Sequence, residues 1–156
     1  MNILFAAVNK CGRLRNKLFH PTTIGARAII LDCEHESVLL VRLSYIKGWY
    51  LPGGKVKNME TVTDGLKREL KEEIGFSADG EGFQLFGVYS NFFEGKSDTI
   101  IVFVCSGHMD EEGSKNVEIE ERRWFPLNVL PEDVSPGTKR RLDEYVRGEQ
   151  GIVGKW

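Results

Sequence analysis

One stretch restricts the fold of this chain more than any other: a proline–glycine loop that runs directly into an acidic amphipathic helix, LPGGKVKNMETVTDGLKRELKEEIGF over residues 51–76. Pro52-Gly53-Gly54 ends any strand leading into it, because proline lacks a ladder donor and glycine admits backbone angles closed to other residues. Thr61 followed by Asp64 forms a capping box, and Gly75 stands where a helix ends in a left-handed residue. At about 100° per residue, Val62, Leu66, Leu70 and Ile74 make one apolar stripe. Glu73 falls inside that stripe, Glu69 at its edge and Glu72 further round, while Lys67, Arg68 and Lys71 lie mostly on the other side. A solvated, salt-bridged helix would set its acids opposite the leucines. Here a carboxylate interrupts the buried face, which is costly unless it is paired, protonated or bound to metal. The i, i+3, i+4 spacing gathers Glu69, Glu72 and Glu73 on one side. Three like charges so close need a cation. On helix geometry alone it is either a divalent metal, with hard oxygen donors that suit Mg2+ or Mn2+ rather than zinc, or Arg68 and the N-terminal arm in a structural cluster.

The rest of the chain reads as mixed α/β. Ala26–Leu31 and Val38–Leu43 flank the polar Asp32–Ser37 and predict a hairpin. Trp49-Tyr50-Leu51 ends a strand at the glycine loop. Phe83–Tyr89 and Thr99–Cys105 predict two further strands joined by a polar connection over Asn91–Asp98, and Glu118–Phe125 predicts a short one. Ser135-Pro136 predicts an N-cap with proline at N1, opening a last helix with Leu142, Tyr145 and Val146 on its apolar face. The expected architecture is a sheet covered by helices over residues 21–156. Residues 1–20 form an N-terminal arm or extension carrying Lys10, Arg13, Arg15, Lys17 and His20. Homodimer formation, coverage of a substrate pocket and a frayed end are the open readings of the arm.

With 156 residues the chain suffices for one domain and a core of its own. The net charge of −2 argues against a dedicated nucleic-acid binder. A small phosphorylated partner stays compatible, because a metal can supply positive charge locally. Cys11, Cys33 and Cys105 show no CxxC pairing and fit buried thiols in a reducing compartment. The apolar run Ile3–Val8 is too short to span a membrane and lacks the charged start of a secretory signal. A cytoplasmic location without a membrane partner is expected.

Gly54, five residues, Glu60, seven residues, Arg68-Glu69-Leu70, one residue, Glu72-Glu73, one residue, Gly75-Phe76: these nine positions within 23 residues match the signature of the Nudix (MutT-like) hydrolases. VLLVRL before GWYLPGG and the later EIEERRWFPLNVL also resemble that family, so the likeness covers roughly residues 24–147. The resemblance implies an α/β/α sandwich with a mixed β-sheet flanked by helices. It implies hydrolysis of a diphosphate linking a nucleoside to another moiety, with Mg2+ or Mn2+. By matched position it implies Glu69, Glu72 and Glu73 as catalytic metal ligands, with the carbonyl of Gly53 as a further one. Glu60 and Arg68 would pair to hold the loop against the helix, and Gly54 and Gly75 would be structural. A further metal glutamate is expected shortly before Trp124-Phe125: Glu118 is the candidate, with Glu120 and Glu121 in competition.

Hydrolysis needs the diphosphate charge neutralised and a water deprotonated beside phosphorus. Glu69 is the first choice for the accepting base, with Glu94 and Asp110-Glu111-Glu112 as loop alternatives. Arg42, Lys47, Lys55 and Lys57 flank the site as candidate phosphate contacts, and Tyr89, Phe92 and Phe93 as candidate base-stacking groups. The alternative function is a catalytically silent Nudix-fold nucleotide-binding or sensor module; retention of every acid in the motif favours the enzyme.

Overall fold

The computed structural model of the protein describes residues 22–32, 34, 36–78, 82–93, 95–109 and 117–156. The N-terminal arm, Cys11, Cys33, Glu94 and Asp110-Glu111-Glu112 lie outside the described residues. The elements are β1 (Thr22–Ile30), β2 (Ser37–Leu43), β3 (Ile46–Tyr50), α1 (Val62–Ile74), β4 (Phe76–Ala78), β5 (Gln84–Phe93), β6 (Lys96–Cys105), β7 (Gly107–Met109), β8 (Ile119–Pro126), α2 (Pro136–Val146) and β9 (Ile152–Lys155). They assemble into a mixed sheet ordered β1-β6-β5-β9, an antiparallel sheet β3-β2-β8 and a β4-β7 ribbon.

Strand alternation sorts the apolar residues onto two faces. On one face Ala26, Ala28 and Ile30 of β1, Leu39 and Val41 of β2, and Phe103 and Cys105 of β6 meet Leu66, Leu70 and Ile74 of α1. On the other, Ile29, Leu31, Val38, Leu40 and Val102 meet Trp49 of β3, Phe86 and Tyr89 of β5, and Leu142 of α2. Each large aliphatic side chain so buried contributes about 1.5–3 kcal/mol. The result is the helix–sheet–helix sandwich. Cys105 is a buried thiol, and burial pushes its pKa up to about 12, which leaves it inert.

Three expectations are corrected. β1 and β2 do not form a hairpin: they bridge at Leu31 and Val38, while β1 runs parallel to β6 from Thr22↔Ser97 to Ile30↔Cys105. Apolar content marks a strand but does not name its partner. The polar stretch Asn91–Asp98 is mostly strand, since β5 and β6 stay paired out to Phe93↔Lys96. Val146 is 62% exposed, and α2 instead buries Gly137, Thr138, Arg141 and Leu142. Arg141 can occupy that face because its guanidinium lies 3.9 Å over the Tyr89 ring and forks onto Glu144 at 2.6 and 2.7 Å. Strand β9, which pairs with β5 from Gly87↔Ile152 to Ser90↔Lys155, was not foreseen. Among the described residues no helix is long and apolar enough to cross a membrane.

Candidate active site

The glycine loop lies along the free edge of β1. Ala26 and Ala28 amides donate to the Gly54 and Pro52 carbonyls at 2.9 and 3.0 Å, and the Val56 amide donates to the Ile24 carbonyl at 2.9 Å. Gly53 has φ of 121°, and a Cβ there would strike the Ala26 carbonyl oxygen and crowd Leu66 Cδ1 at 3.0 Å. A Cβ at Gly54 would strike the Glu69 carboxylate. The two glycines therefore let strand, loop and helix approach one another more closely than side chains allow.

Helix α1 is capped as its sequence specifies. Thr61 Oγ1 accepts from the Asp64 amide at 3.1 Å, and Gly75 closes the helix at φ 63°, its amide donating to the Lys71 carbonyl at 3.1 Å. Arg122 of β8 donates to the Ile74 carbonyl and docks the C-terminal turn, the one that carries Glu72 and Glu73.

Arg68 is the hub of the acids. Its Nε and Nη2 reach Glu60 at 3.2 and 2.8 Å, its Nη1 reaches Glu69 at 2.7 Å and Glu72 at 3.2 Å, and Nη2 also donates to the Lys55 carbonyl at 3.2 Å. One guanidinium thus ties the loop to three carboxylates. The hydrogen bond from Arg68, helped by the Lys57 amide, holds the Glu60 carboxyl down to about 2. Glu73 is 8% exposed and accepts from the Gly53 amide at 2.9 Å. Burial pushes its carboxyl up to about 7; the Gly53 amide and the Arg27 charge pull it back, while Glu69 and Glu118 add to the rise.

Among the described residues no three acid, histidine or cysteine side chains converge as a preformed metal cluster, because Arg68 holds Glu69 and Glu72 while Gly53 holds Glu73. The donor set nevertheless fits a hard divalent cation. Every side-chain donor is a carboxylate, and Glu69, Glu72 and Glu73, together with the structural Glu60, share the one guanidinium of Arg68 and the Arg27 charge. The Gly53 carbonyl stands between two carbonyls taken by β1 and accepts no hydrogen bond among the described residues.

The remaining candidates separate. Glu118 leads into β8, its carbonyl accepts from the Ser44 amide at 2.9 Å, and its charge acts on Glu73. Glu121 pairs instead with Arg123. Glu120 lines a hollow of about 420 Å3 together with Arg42, Tyr45, Lys47 and Asp133. Arg42 does not join the helix acids: it bonds Asp133 at 3.1 Å and lies 4.7 Å over the Trp49 ring. Lys55 contributes its carbonyl to Arg68 and is exposed, as is Lys57. Tyr89 is fully buried and donates to Glu144 at 2.9 Å, so it belongs to the core, while Phe92 and Phe93 are exposed. Arg27 was missed by the sequence reading. Its signal was available: a lone charge in the apolar strand TIGARAIIL.

The chain matches the model of the NUDIX domain over residues 21–145. A Bacillus subtilis (strain 168) protein, provisionally assigned as an 8-oxo-dGTP diphosphatase, is 28% identical over 131 residues, 83% of this chain and 84% of that one. The oxidized purine nucleoside triphosphate hydrolase of Mus musculus is 39% identical over 85 residues, which span 53% of this chain and 52% of the mouse protein. The solved structure of the MutT protein from Methanosarcina mazei Go1 superposes with a TM-score of 0.67 at 25% identity, over 83% of this chain and 96% of that one. A glycine loop clamped to an acidic helix, in a sandwich shared with those structures and under a domain match covering most of the sequence, establishes that the chain belongs to the Nudix (MutT-like) hydrolase family.

Proposed function

We propose that the chain is a Mg2+- or Mn2+-dependent pyrophosphohydrolase of the cytoplasm, cleaving the diphosphate linkage of a nucleoside diphosphate joined to another moiety. One observation carries the reading: Glu73 is held by the Gly53 amide and Glu69 packs into the space Gly54 leaves, beside a loop carbonyl that accepts no hydrogen bond among the described residues. Glu69, Glu72, Glu73 and the Gly53 carbonyl would hold the ion, with Glu118 as an outlying ligand. When bound, a divalent ion neutralises phosphate charge and lowers the pKa of coordinated water. Glu69 accepts the proton of the attacking water at its carboxylate. Arg68, itself clamped by Glu60, orients Glu69 and Glu72, and Arg27 presents a positive charge to the phosphates beside Glu73.

The names of the Bacillus and mouse relatives point to oxidised purine nucleoside triphosphates as the first substrates to try. The test is phosphate or pyrophosphate release from 8-oxo-dGTP, ordinary nucleoside triphosphates, dinucleoside polyphosphates, nucleotide sugars and capped RNA, each with Mg2+, Mn2+ or EDTA. Release should require the metal, and Glu69→Gln should lower turnover by about 10²–10⁴-fold with little change in melting. Undiminished turnover in that variant removes Glu69 from the chemistry. Tight nucleotide binding with no release from any compound would favour the silent binding module instead.

A further inference from the structure

Three polar side chains stand in one row across the mixed sheet. Thr23 of β1 pairs with Asp98 of β6, and Asp98 with Asn91 of β5. The Thr23 hydroxyl donates to Asp98 Oδ1, so those two share a face. Alternation from Ile29 on β1, Val102 on β6 and Tyr89 on β5 sets all three on the α2 side. That face is apolar beneath α2 and turns polar beyond the start of the helix. The Trp156 indole lies against Gly137 there, and the Trp156 amide donates to the Ser90 carbonyl at 3.0 Å, which places Trp156 beside Asn91. Phe93, two residues past Asn91 on the same face, is 64% exposed.

The chemistry of the row is directional. Thr23 spends its proton on one oxygen of Asp98, leaving the other as an acceptor. Among the described residues no arginine or lysine pairs with Asp98, and its second carboxylate oxygen accepts no hydrogen bond. Such a carboxylate repels phosphate and attracts N–H and O–H donors, and the neighbouring amide can both donate and accept. Arg27 lies on the same face of β1, four residues from Thr23, or about 13 Å along the strand. A ligand with an anionic end and a neutral, donor-bearing end would be sorted along that line.

We infer that Thr23, Asp98 and Asn91 form a specificity row that binds the neutral hydrogen-bond donors of a nucleoside, its base N–H groups or its sugar hydroxyls, while the diphosphate lies toward Arg27 on the edge strand β1. The inference rests on the proposed function and adds to it which residues choose the substrate. Trp156 and Phe93 supply aromatic surface at the margins of the row.

The test is isothermal titration of the full chain with AMP, GMP, CMP and UMP, their deoxy counterparts, and inorganic pyrophosphate with Mg2+. Asp98→Asn keeps an oxygen for Thr23 but replaces the outward acceptor with a donor. It should weaken the preferred nucleotide by tenfold or more and leave pyrophosphate affinity within twofold. Asn91→Ala should act in the same direction, and it carries the test if Asp98→Asn melts early, because the Asn91 side chain bonds nothing in the fold among the described residues. Loss confined to ribonucleotides assigns the contact to the 2′-hydroxyl; equal loss in both series assigns it to the base or the 3′-hydroxyl. Unchanged nucleotide affinity in both variants, equal loss for pyrophosphate, or no nucleotide bound by the wild type overturns the inference. Hydrolysis that persists unaltered in Asp98→Asn would sink the row and spare the proposed function. Asp98-dependent binding without hydrolysis would do the reverse.

Discussion

Two arginines organise carboxylates on opposite faces of the same sheet, and the contrast separates an ion pair that holds a fold from one that holds a site. Arg141 is 2% exposed, gives its fork to the single carboxylate of Glu144, and is covered by Tyr89 and Trp156. Charge is balanced there and every strong donor is used, including a hydrogen bond to the Lys155 carbonyl at 3.3 Å. Arg68 divides its donors among Glu60, Glu69 and Glu72 at a surface edge, with Glu73 buried alongside. Its cluster carries more negative than positive charge. A saturated pair can only stabilise; an oversubscribed one can exchange its arginine contacts for another cation.

Breaking the saturated pair should have the largest effect on stability. Arg141→Ala leaves the Glu144 carboxylate without its cation and the Tyr89 ring without the guanidinium stacked on it, at a cost of about 3–5 kcal/mol. Chemical denaturation measures it, and turnover per folded molecule should be unchanged. A loss below about 1 kcal/mol would show that water replaces the guanidinium and that the contrast is false.

The oversubscribed cluster should instead depend on pH and metal. With EDTA present, Glu73 has a folded pKa of about 7 against an ordinary value of 4.5. The folded state therefore prefers the protonated form. The associated stability is complete below about pH 4.5 and is lost as pH rises to and through about 7, in all about 3 kcal/mol. Glu73→Gln should flatten that profile. A wild-type curve that instead rises between pH 4.5 and 7 contradicts the burial of an unmetallated Glu73.

The glycines refine the comparison on a smaller scale. Gly54→Ala meets only the end of the Glu69 side chain, which can swing away, so stability should fall by about 1 kcal/mol or less while turnover falls at least tenfold. Gly53→Ala meets the backbone at a positive φ and should cost more stability. Equal melting of the two variants would mean that the loop relaxes as a whole. Smallest of all, Lys139→Ala removes an exposed i, i+4 pair with Asp143 and should cost about 0.5 kcal/mol or less; a larger loss would show that exposure is no guide to the worth of an ion pair in this fold.

The helix and its acids were legible in the sequence because their logic is local. Capping, periodicity and the misplaced Glu73 all fall within one stretch, and the buried position of Glu73 follows from the rise of the helix alone. The family likeness extended that reading to the sandwich. What was not legible depends on contacts between distant segments. No periodicity says that β1 lies beside β6 rather than β2, or that four residues near the C-terminus add a strand to β5. Nothing local marks Arg141 as buried, because beyond Glu144 on its own helix its compensation comes from two other segments, Tyr89 on β5 and Lys155-Trp156. Thr23, Asp98 and Asn91 were invisible as a group for the same reason.

The loop that carries Gly53 and Gly54 also covers the outer rim of the sheet. Ala26 and Ala28 point their amides toward it, and its Pro52 and Gly54 carbonyls occupy them. A strand left with such amides bare is a template for another chain. Two properties are thereby coupled in one segment: a variant that displaces the loop takes the Gly53 amide from Glu73 and at the same time opens a sticky β-edge. Changes in residues 52–56 that displace the loop should therefore add aggregation at high protein concentration to any loss of turnover, whereas Gly54→Ala, which meets only the Glu69 side chain, should lose turnover alone.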